Sequence, residues 1–205
     1  MRKSFCSLIS FLLFSLLACG AASAHWYVAP TGNDANNGSK RKPLKTIAAA
    51  LQRVNPGDTV FLREGSYGEF VVPTRSGKPG KMITLKSYPG EIAKIDGSDL
   101  YIKGWGNALV QVNNIDYMQF ENLHICHAHD SENNTDPEGI YITGTSGNIT
   151  FRGCKVYDIK NDCPLVDAKG DWRSAHAILV LGTDDNTPIR NLLIEKCEIF
   201  EIHSA

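Results

Sequence analysis

The feature that most constrains this chain is a short pattern of alternating residues that occurs three times. The copies occupy residues 108–128, 139–159 and 177–202. Within each copy apolar residues alternate with polar ones, and a period of two is typical of short β-strands. A unit of this length is too small to bury its own apolar face, so several units have to stack. The repeat therefore predicts a solenoid of short β-strands.

Aligning the three copies places equivalent residues in four columns. The columns are Met118/Ile149/Leu192, Phe120/Phe151/Ile194, Leu123/Cys154/Cys197 and Ile125/Val156/Ile199. Stacking would bring Cys154 and Cys197 about one strand spacing, or 4.8 Å, apart, which is within disulfide reach. The other interpretation is that both are small thiols filling one inward slot. A metal site built on the cysteines is the least favoured interpretation, because nothing has close CxxC or HxxxH spacing.

The first two dozen residues have the features of an export signal. Basic residues 2–3 precede an apolar run at 11–18, and small residues at 22–24 offer a cleavage site. We therefore predict a signal peptide over residues 1–24 and a β-helix domain over residues 25–205. The apolar run is too short for a transmembrane helix.

The residues around Cys19 also resemble a bacterial lipoprotein box, which would attach a lipid anchor to Cys19. With or without that anchor, the mature protein is expected to be exported, as a secreted or periplasmic protein. The chain has 21 basic and 22 acidic residues and a net charge of −1, with no basic run. Nucleic acid is therefore excluded as an expected partner, because phosphates require a clustered positive surface.

The region before the repeats predicts a short helix followed by strands. Apolar residues recur at helical spacing between Leu44 and Val54, so an amphipathic helix is expected there. Strands are predicted at residues 59–62, 70–72, 83–86 and 93–96, separated by turns rich in Gly, Pro and Ser. A helix in this position would cover the open end of the solenoid.

Three stretches of this region resemble the opening of bacterial proteins of the pectate-lyase-like superfamily. They are WYVAPTGNDANNG, PLKTIAAALQRVNPGDTVFLREGSYGEFVV and SGKPGKMITLKSYPGEIAKIDG. The enzymes with this kind of opening are polysaccharide lyases of families six and nine. The resemblance implies an all-β fold, a right-handed parallel β-helix with a short N-terminal capping helix. Because the chain stops at Ala205 directly after a strand, we also expect further C-terminal coils to be missing.

The spacing of the repeats indicates where loops enlarge. The excess length falls after the strands that contain Cys126 and Tyr157, so residues 127–138 and 158–175 are predicted to protrude side by side. The resemblance implies that such loops wall a groove that holds polysaccharide. The outward residues of that sheet are predicted to be His124, Lys155 and Glu198, with Cys126, Tyr157 and Phe200 beside them.

Breaking an acidic polysaccharide by β-elimination requires neutralisation of the uronate carboxylate, a base for the adjacent proton, and assistance to the leaving oxygen. Ca²⁺ held by loop carboxylates suits the first role. The predicted metal ligands are Asp130, Asp136, Asp158 and Asp162. Lys155 is the first candidate for the base and His124 the second. The predicted substrate-binding residues are Trp172, Arg173 and Tyr157, and Trp172 is proposed because an aromatic face suits a sugar ring.

Other interpretations of these residues remain open. Lys155 and Glu198 can form a plain cross-strand ion pair, and the aspartates can be ordinary turn residues. A second pattern, formed by residues 134–136, 161–163 and His176, resembles polygalacturonase motifs and adds His176 to the candidate catalytic residues. Alanines flank that histidine, which favours a chance resemblance. The competing function is a non-catalytic surface β-helix that binds glycan or a protein partner.

Overall fold

A computed structural model describes residues 23–102, 106–130, 136–163, 174–183 and 188–204. The strands in these ranges are β1 (His25–Val28), β2 (Thr59–Leu62), β3 (Gly65–Tyr67), β4 (Ile83–Ser87), β5 (Ala93–Asp96), β6 (Ala108–Asn113), β7 (Asp116–Glu121), β8 (Leu123–Asp130), β9 (Glu138–Thr143), β10 (Gly147–Arg152), β11 (Lys155–Asn161), β12 (His176–Leu181), β13 (Arg190–Glu195) and β14 (Glu198–Ser204). One short helix, α1 (Ile47–Leu51), lies between β1 and β2.

The strands form three parallel sheets, and the chain passes through the sheets in turn. The first sheet has the order β1-β2-β4-β7-β10-β13, the second β14-β11-β8-β5-β3 and the third β12-β9-β6. Three successive coils, β4-β5-β6, β7-β8-β9 and β10-β11-β12, therefore contribute one strand to each sheet. This arrangement confirms the predicted right-handed parallel β-helix.

The predicted columns are confirmed by the register of the strands. Met118 pairs with Ile149, which pairs with Leu192, and Ile125, Val156 and Ile199 follow in the second sheet. In the interior the rings of Phe120 and Phe151 are stacked with their centroids 4.6 Å apart. Because both rings are fully buried, this column contributes heavily to the core.

A single left-handed residue turns the chain from the first sheet to the second in each of three coils. The residues are Asn122, Gly153 and Lys196, with φ of 53°, 63° and 55°. Asn and Gly adopt this conformation most readily, which explains two of the three residues. This turn between the first and second sheets determines which side chains of the second sheet point outward.

The helix is shorter than predicted, although its apolar residues are placed as expected. Leu44, Ile47, Leu51 and Val54 are buried, but only Ile47–Leu51 is helical. The helix begins after Thr46, whose hydroxyl oxygen accepts a hydrogen bond from Ala49 N. Leu44 is instead bridged to Val28 of β1, which keeps the preceding residues extended.

The predicted strand at residues 70–72 is wrong. The strand of that coil is β3, and Val71 makes a single bridge to Val110. The hydroxyl of Tyr67 donates hydrogen bonds to Val28 O and Arg63 O, and Gly65–Tyr67 pairs with β5. Sequence periodicity did not reveal these bonds to the backbone.

Several predictions fall outside the described residues. These are most of the signal peptide, Cys19, Trp172 and Arg173. In the described part of the chain, no helix is long and apolar enough to cross a membrane. No disulfide joins the cysteines of the described residues, so the interpretation of Cys154 and Cys197 as slot-filling thiols agrees with the structure.

Candidate functional site

The outward face of the second sheet carries a row of basic residues on neighbouring strands. Lys94 of β5 pairs with His124 of β8, which pairs with Lys155 of β11, and Lys155 pairs with Glu198 of β14. Adjacent strands lie about 4.8 Å apart, so the side chains form a continuous line. The predicted line of His124, Lys155 and Glu198 is confirmed, and Lys94 extends it by one strand.

Lys155 forms an ion pair with Glu198 of the neighbouring strand. Its Nζ lies 2.9 Å from Oε2 of Glu198, and both side chains reach solvent. This is the cross-strand ion pair considered from the sequence. An exposed pair of this kind stabilises the fold little, which leaves Lys155 able to exchange Glu198 for another carboxylate.

His124 has an environment that keeps its imidazole neutral. Burial and the positive charges of Lys155 and Lys94 lower the pKa of His124. Its Nδ1 lies 3.4 Å from the hydroxyl oxygen of Tyr157. A neutral imidazole can accept a proton, so His124 has the protonation state that a general base requires.

Tyr157 presents an aromatic surface beside this row. Its ring stacks on Phe200 with centroids 4.9 Å apart and planes 3° from parallel. Burial raises the pKa of Tyr157, so its hydroxyl stays protonated at neutral pH. An aromatic platform with a hydroxyl at its edge is suited to a sugar ring.

Residues 127–130 and 158–161 lie in strands, so their predicted placement in protruding loops is wrong. Residues 131–135 and 164–173 of the two predicted loops lie outside the described residues. β8 continues to Asp130 and β11 to Asn161. The reason is a left-handed residue within each strand, His127 with φ of 61° and Asp158 with φ of 55°. One such residue acts as a bulge that shifts the alternation without ending the strand.

These bulge residues build a polar cluster. His127 Nδ1 lies 2.8 Å from Asp96 Oδ1, and its Nε2 lies 3.6 Å from Asp158 Oδ2. Asp158 also lies 3.2 Å from His129 Nε2 and 2.5 Å from Lys160 Nζ. Hydrogen bonds and cations around Asp158 outweigh its burial and lower its pKa, so it is ionised at neutral pH.

The four aspartates predicted to hold Ca²⁺ have separate surroundings. Asp130 is buried at the end of β8, opposite Asn161, and Asp162 is exposed. Asp136 accepts a hydrogen bond from Ser174 N at 2.7 Å, and Asp158 is engaged by His129 and Lys160.

Ca²⁺ takes about six to eight oxygen ligands. Among the described residues, the group of His, Cys and carboxylate side chains that converges closely enough for a metal ion is Asp96, Cys126 and His127. It includes a thiol and none of the four predicted aspartates. The four predicted aspartates therefore do not converge on one Ca²⁺ site among the described residues.

His176, the remaining candidate catalytic residue, lies on the third sheet. It starts β12 in register with Glu138 of β9, and its Nε2 lies 3.3 Å from Ser174 Oγ. Glu138 is fully buried, and neither of its carboxylate oxygens has a hydrogen-bond partner among the described residues. Burial, with a smaller contribution from the charge of Asp136, raises the pKa of Glu138 to about 7. His176 therefore lies on a different sheet from His124 and Lys155.

Sequence reasoning missed the residues contributed by β5 and by the bulges. Lys94 and Asp96 precede the three repeat copies, so they had no aligned equivalents. His127, His129 and Lys160 were assigned to loops. One signal was present, because apolar residues Ile125 and Ala128 are three positions apart, as are Val156 and Ile159. A repeated step of three in a period-two strand indicates a bulge.

Comparisons with known proteins agree with this architecture. The chain is 32% identical over 144 residues to the uncharacterized protein YwoF of Bacillus subtilis, covering 70% of this chain and 31% of that protein. It is 26% identical over 147 residues to pectate lyase PEL9 of Emericella nidulans, covering 66% of this chain and 34% of the lyase. The chain thus spans about a third of the length of these relatives.

A solved structure shows the same fold. The GH136 lacto-N-biosidase from Eubacterium ramulus superposes with a TM-score of 0.68 at 18% identity, covering 87% of this chain and 34% of that enzyme. At this identity the similarity establishes the fold alone. A family model described as "Pel9A-like, right handed beta helix region" matches residues 26–187. Because that match covers well over half of the chain, the protein belongs to the family of Pel9A-like right-handed β-helix regions.

Proposed function

We propose that this is an exported enzyme that binds an acidic polysaccharide on the outward face of the second sheet and cleaves it by β-elimination. The observation that supports the proposal best is the line of Lys94, His124 and Lys155, with the pKa of the central histidine lowered. Two cations flanking a neutral base match the needs of this reaction. The export signal predicted at residues 1–24 is part of the same proposal.

The two lysines are assigned to the substrate carboxylate. Lys94 and Lys155 lie on either side of His124, so a uronate carboxylate placed between them receives positive charge from both. The ion pair between Lys155 and Glu198 breaks when the substrate carboxylate binds to Lys155. This charge stabilises the carbanion that forms when the proton beside the carboxylate is removed.

His124 is assigned as the base and Tyr157 as the proton donor. The neutral imidazole takes the proton from the carbon next to the carboxylate, and the electron pair forms a carbon–carbon double bond. The bond to the leaving oxygen breaks, and that oxygen takes a proton from the Tyr157 hydroxyl. Proton transfer from imidazolium to tyrosinate across the 3.4 Å separation restores both groups.

Lys155 was the first candidate for the base in the sequence, and the geometry favours His124 for that role. The Nζ atom of Lys155 lies 2.9 Å from Glu198 Oε2, whereas His124 Nδ1 lies beside the Tyr157 hydroxyl that is assigned as the proton donor. The relatives named as pectate lyases support an acidic substrate. Because the chain spans only part of their length, the activity of the whole protein remains a proposal.

The test measures unsaturated sugar ends by their ultraviolet absorbance. The protein is incubated with pectate, alginate and chondroitin, each with and without Ca²⁺. We expect absorbance to rise on at least one substrate and the rate to fall by about 10²-fold or more in His124→Ala. The matched control is His25→Ala, which replaces an exposed histidine on the first sheet and should leave the rate unchanged. No absorbance on any of the three substrates would rule out the lyase.

A non-catalytic glycan-binding module is the second candidate. The stacked rings of Tyr157 and Phe200 favour it, because an aromatic platform can bind sugar rings without any base. Retained binding of an acidic oligosaccharide together with no product in the absorbance assay would identify this function. A polygalacturonase-like hydrolase would instead release reducing ends without ultraviolet absorbance.

A further inference from the structure

Three side chains of different chemistry converge on the outward face of the second sheet. Asp96, Cys126 and His127 each offer one ligand atom, and these atoms all lie within 4.8 Å of one another. Asp96 and Cys126 are paired on β5 and β8, and His127 follows Cys126 in the chain. A carboxylate, a thiol and an imidazole form a ligand set for a transition metal rather than a network typical of a protein surface.

The bulge at His127 makes this convergence possible. In an extended strand, consecutive side chains point to opposite faces, so Cys126 and His127 would be separated by the sheet. The left-handed conformation of His127, with φ of 61°, brings both to the same side. Cys126 is fully buried but is not part of the interior apolar cluster. Its thiol lies against the Tyr157 side chain.

The surrounding residues orient two of the three ligands. Ser98 donates hydrogen bonds to Asp96 Oδ1 from its backbone N–H at 3.1 Å and from its hydroxyl at 2.5 Å. When His127 Nδ1 faces Asp96, its Nε2 faces Asp158 Oδ2 at 3.6 Å. A carboxylate behind the second ring nitrogen is the usual partner of a histidine that binds a metal. Lys160 in turn holds Asp158.

We propose that Asp96, Cys126 and His127 bind a Zn²⁺ ion. Thiolate and imidazole ligands suit Zn²⁺, whereas Ca²⁺ takes oxygen ligands. When the ion binds, the Cys126 sulfur loses its proton to solvent and forms a bond to zinc. The contact between Asp96 and His127 opens from 2.8 Å to roughly 3.3 Å, the separation of two ligands in a tetrahedral zinc site.

Three protein ligands leave the fourth tetrahedral position open to water or a ligand. His127 directly follows Cys126, which pairs with Tyr157, so the three ligands adjoin the surface assigned above to polysaccharide. The metal site itself does not depend on that assignment. Its test therefore uses metal binding, with no substrate present.

The experiment uses the full chain, reduced and freed of metal by a chelator. Zn²⁺ is titrated by calorimetry, and Co²⁺ is added separately while the absorbance spectrum is recorded. We expect one Zn²⁺ per chain and, with Co²⁺, a thiolate-to-metal charge-transfer band that reports Cys126 ligation directly. Cys126→Ser should remove the band and weaken Zn²⁺ binding by about 100-fold or more, and Asp158→Asn should weaken it by about tenfold.

Cys197→Ser is the matched control, because Cys197 is a free thiol outside the cluster. It should leave both the band and the zinc affinity unchanged. The absence of a charge-transfer band in the unaltered chain overturns the proposal without requiring any variant to fold. Equal zinc affinity in the unaltered chain and in Cys126→Ser also overturns it, as does loss of the band in Cys197→Ser.

Discussion

The Nδ1 atom of His124 lies 3.4 Å from the hydroxyl oxygen of Tyr157, and the two rings meet edge to face. The residues come from neighbouring strands, β8 and β11, offset by two positions along the sheet. A proton acceptor and a proton donor therefore face the same surface. This relationship connects the two halves of the proposed elimination.

The pH dependence of the reaction should report the pKa of His124. Burial and the charges of Lys155 and Lys94 lower this pKa below the ordinary value of 6.5. A base has to be unprotonated, so kcat/KM should rise with pH and reach a plateau, with its midpoint below pH 6.5. The measurement is the initial rate of product absorbance at low substrate concentration across pH 4–8.

Substitutions of two residues near His124 should shift the midpoint of this pH profile in opposite directions. Lys155→Gln removes a positive charge and should move the midpoint to higher pH. Glu198→Gln removes a charge that raises the pKa of His124, so it should move the midpoint to lower pH. Shifts in the same direction would show that another group controls the profile.

Replacing Glu138 with Gln should stabilise the protein at high pH. Burial raises the pKa of Glu138 from 4.5 to about 7, so the folded chain holds this proton more tightly than the unfolded chain. Stability from this carboxyl is therefore complete below pH 4.5 and is lost as the pH rises to about 7. Glu138→Gln should raise the free energy of unfolding by about 2–3 kcal/mol at pH 8 and change it little at pH 4.

Denaturant unfolding at the two pH values checks this prediction. Glu64→Gln, in the turn before β3, is the control and should show no such difference. If Glu138→Gln has the same effect at pH 4 and pH 8, the carboxyl is not held neutral by its burial.

The stacked core rings should contribute strongly to stability. Phe151 is fully buried against Phe120, so Phe151→Ala leaves a cavity and should lower the free energy of unfolding by about 3–5 kcal/mol. Phe61 stacks on Tyr27 on the outer side of the first sheet and is only half-buried, so Phe61→Ala should cost clearly less. Equal losses in urea unfolding would contradict the assignment of the inward column.

The sequence predicted the interior of this fold better than its surface. Columns such as Met118, Ile149 and Leu192 were predictable because burial imposes an apolar residue at each step of the coil. The bulges at His127 and Asp158 were missed because a left-handed residue changes side-chain direction with only a weak trace in the sequence. The placement of Asp130 and Asp158 in loops failed for that reason.

The site was predictable only in part. The line of His124, Lys155 and Glu198 followed from the repeat alignment, since parallel strands keep equivalent residues in register. Asp96 joins Cys126 and His127 from a strand outside the aligned repeats, so spacing in the chain gave no indication of the cluster. Such a site depends on which coils are neighbours, and that is known only once the strands are paired.

The most direct test of the central claim is the affinity of the protein for a uronate oligosaccharide. Titration calorimetry compares the unaltered chain with Lys94→Glu/Lys155→Glu and with Lys78→Glu/Lys81→Glu, an equal charge reversal in an exposed turn. We predict at least a tenfold loss of affinity for the first pair, diminishing as salt screens the charges, and no loss for the second. Equal affinity in all three proteins would contradict the assignment of this surface to acidic polysaccharide.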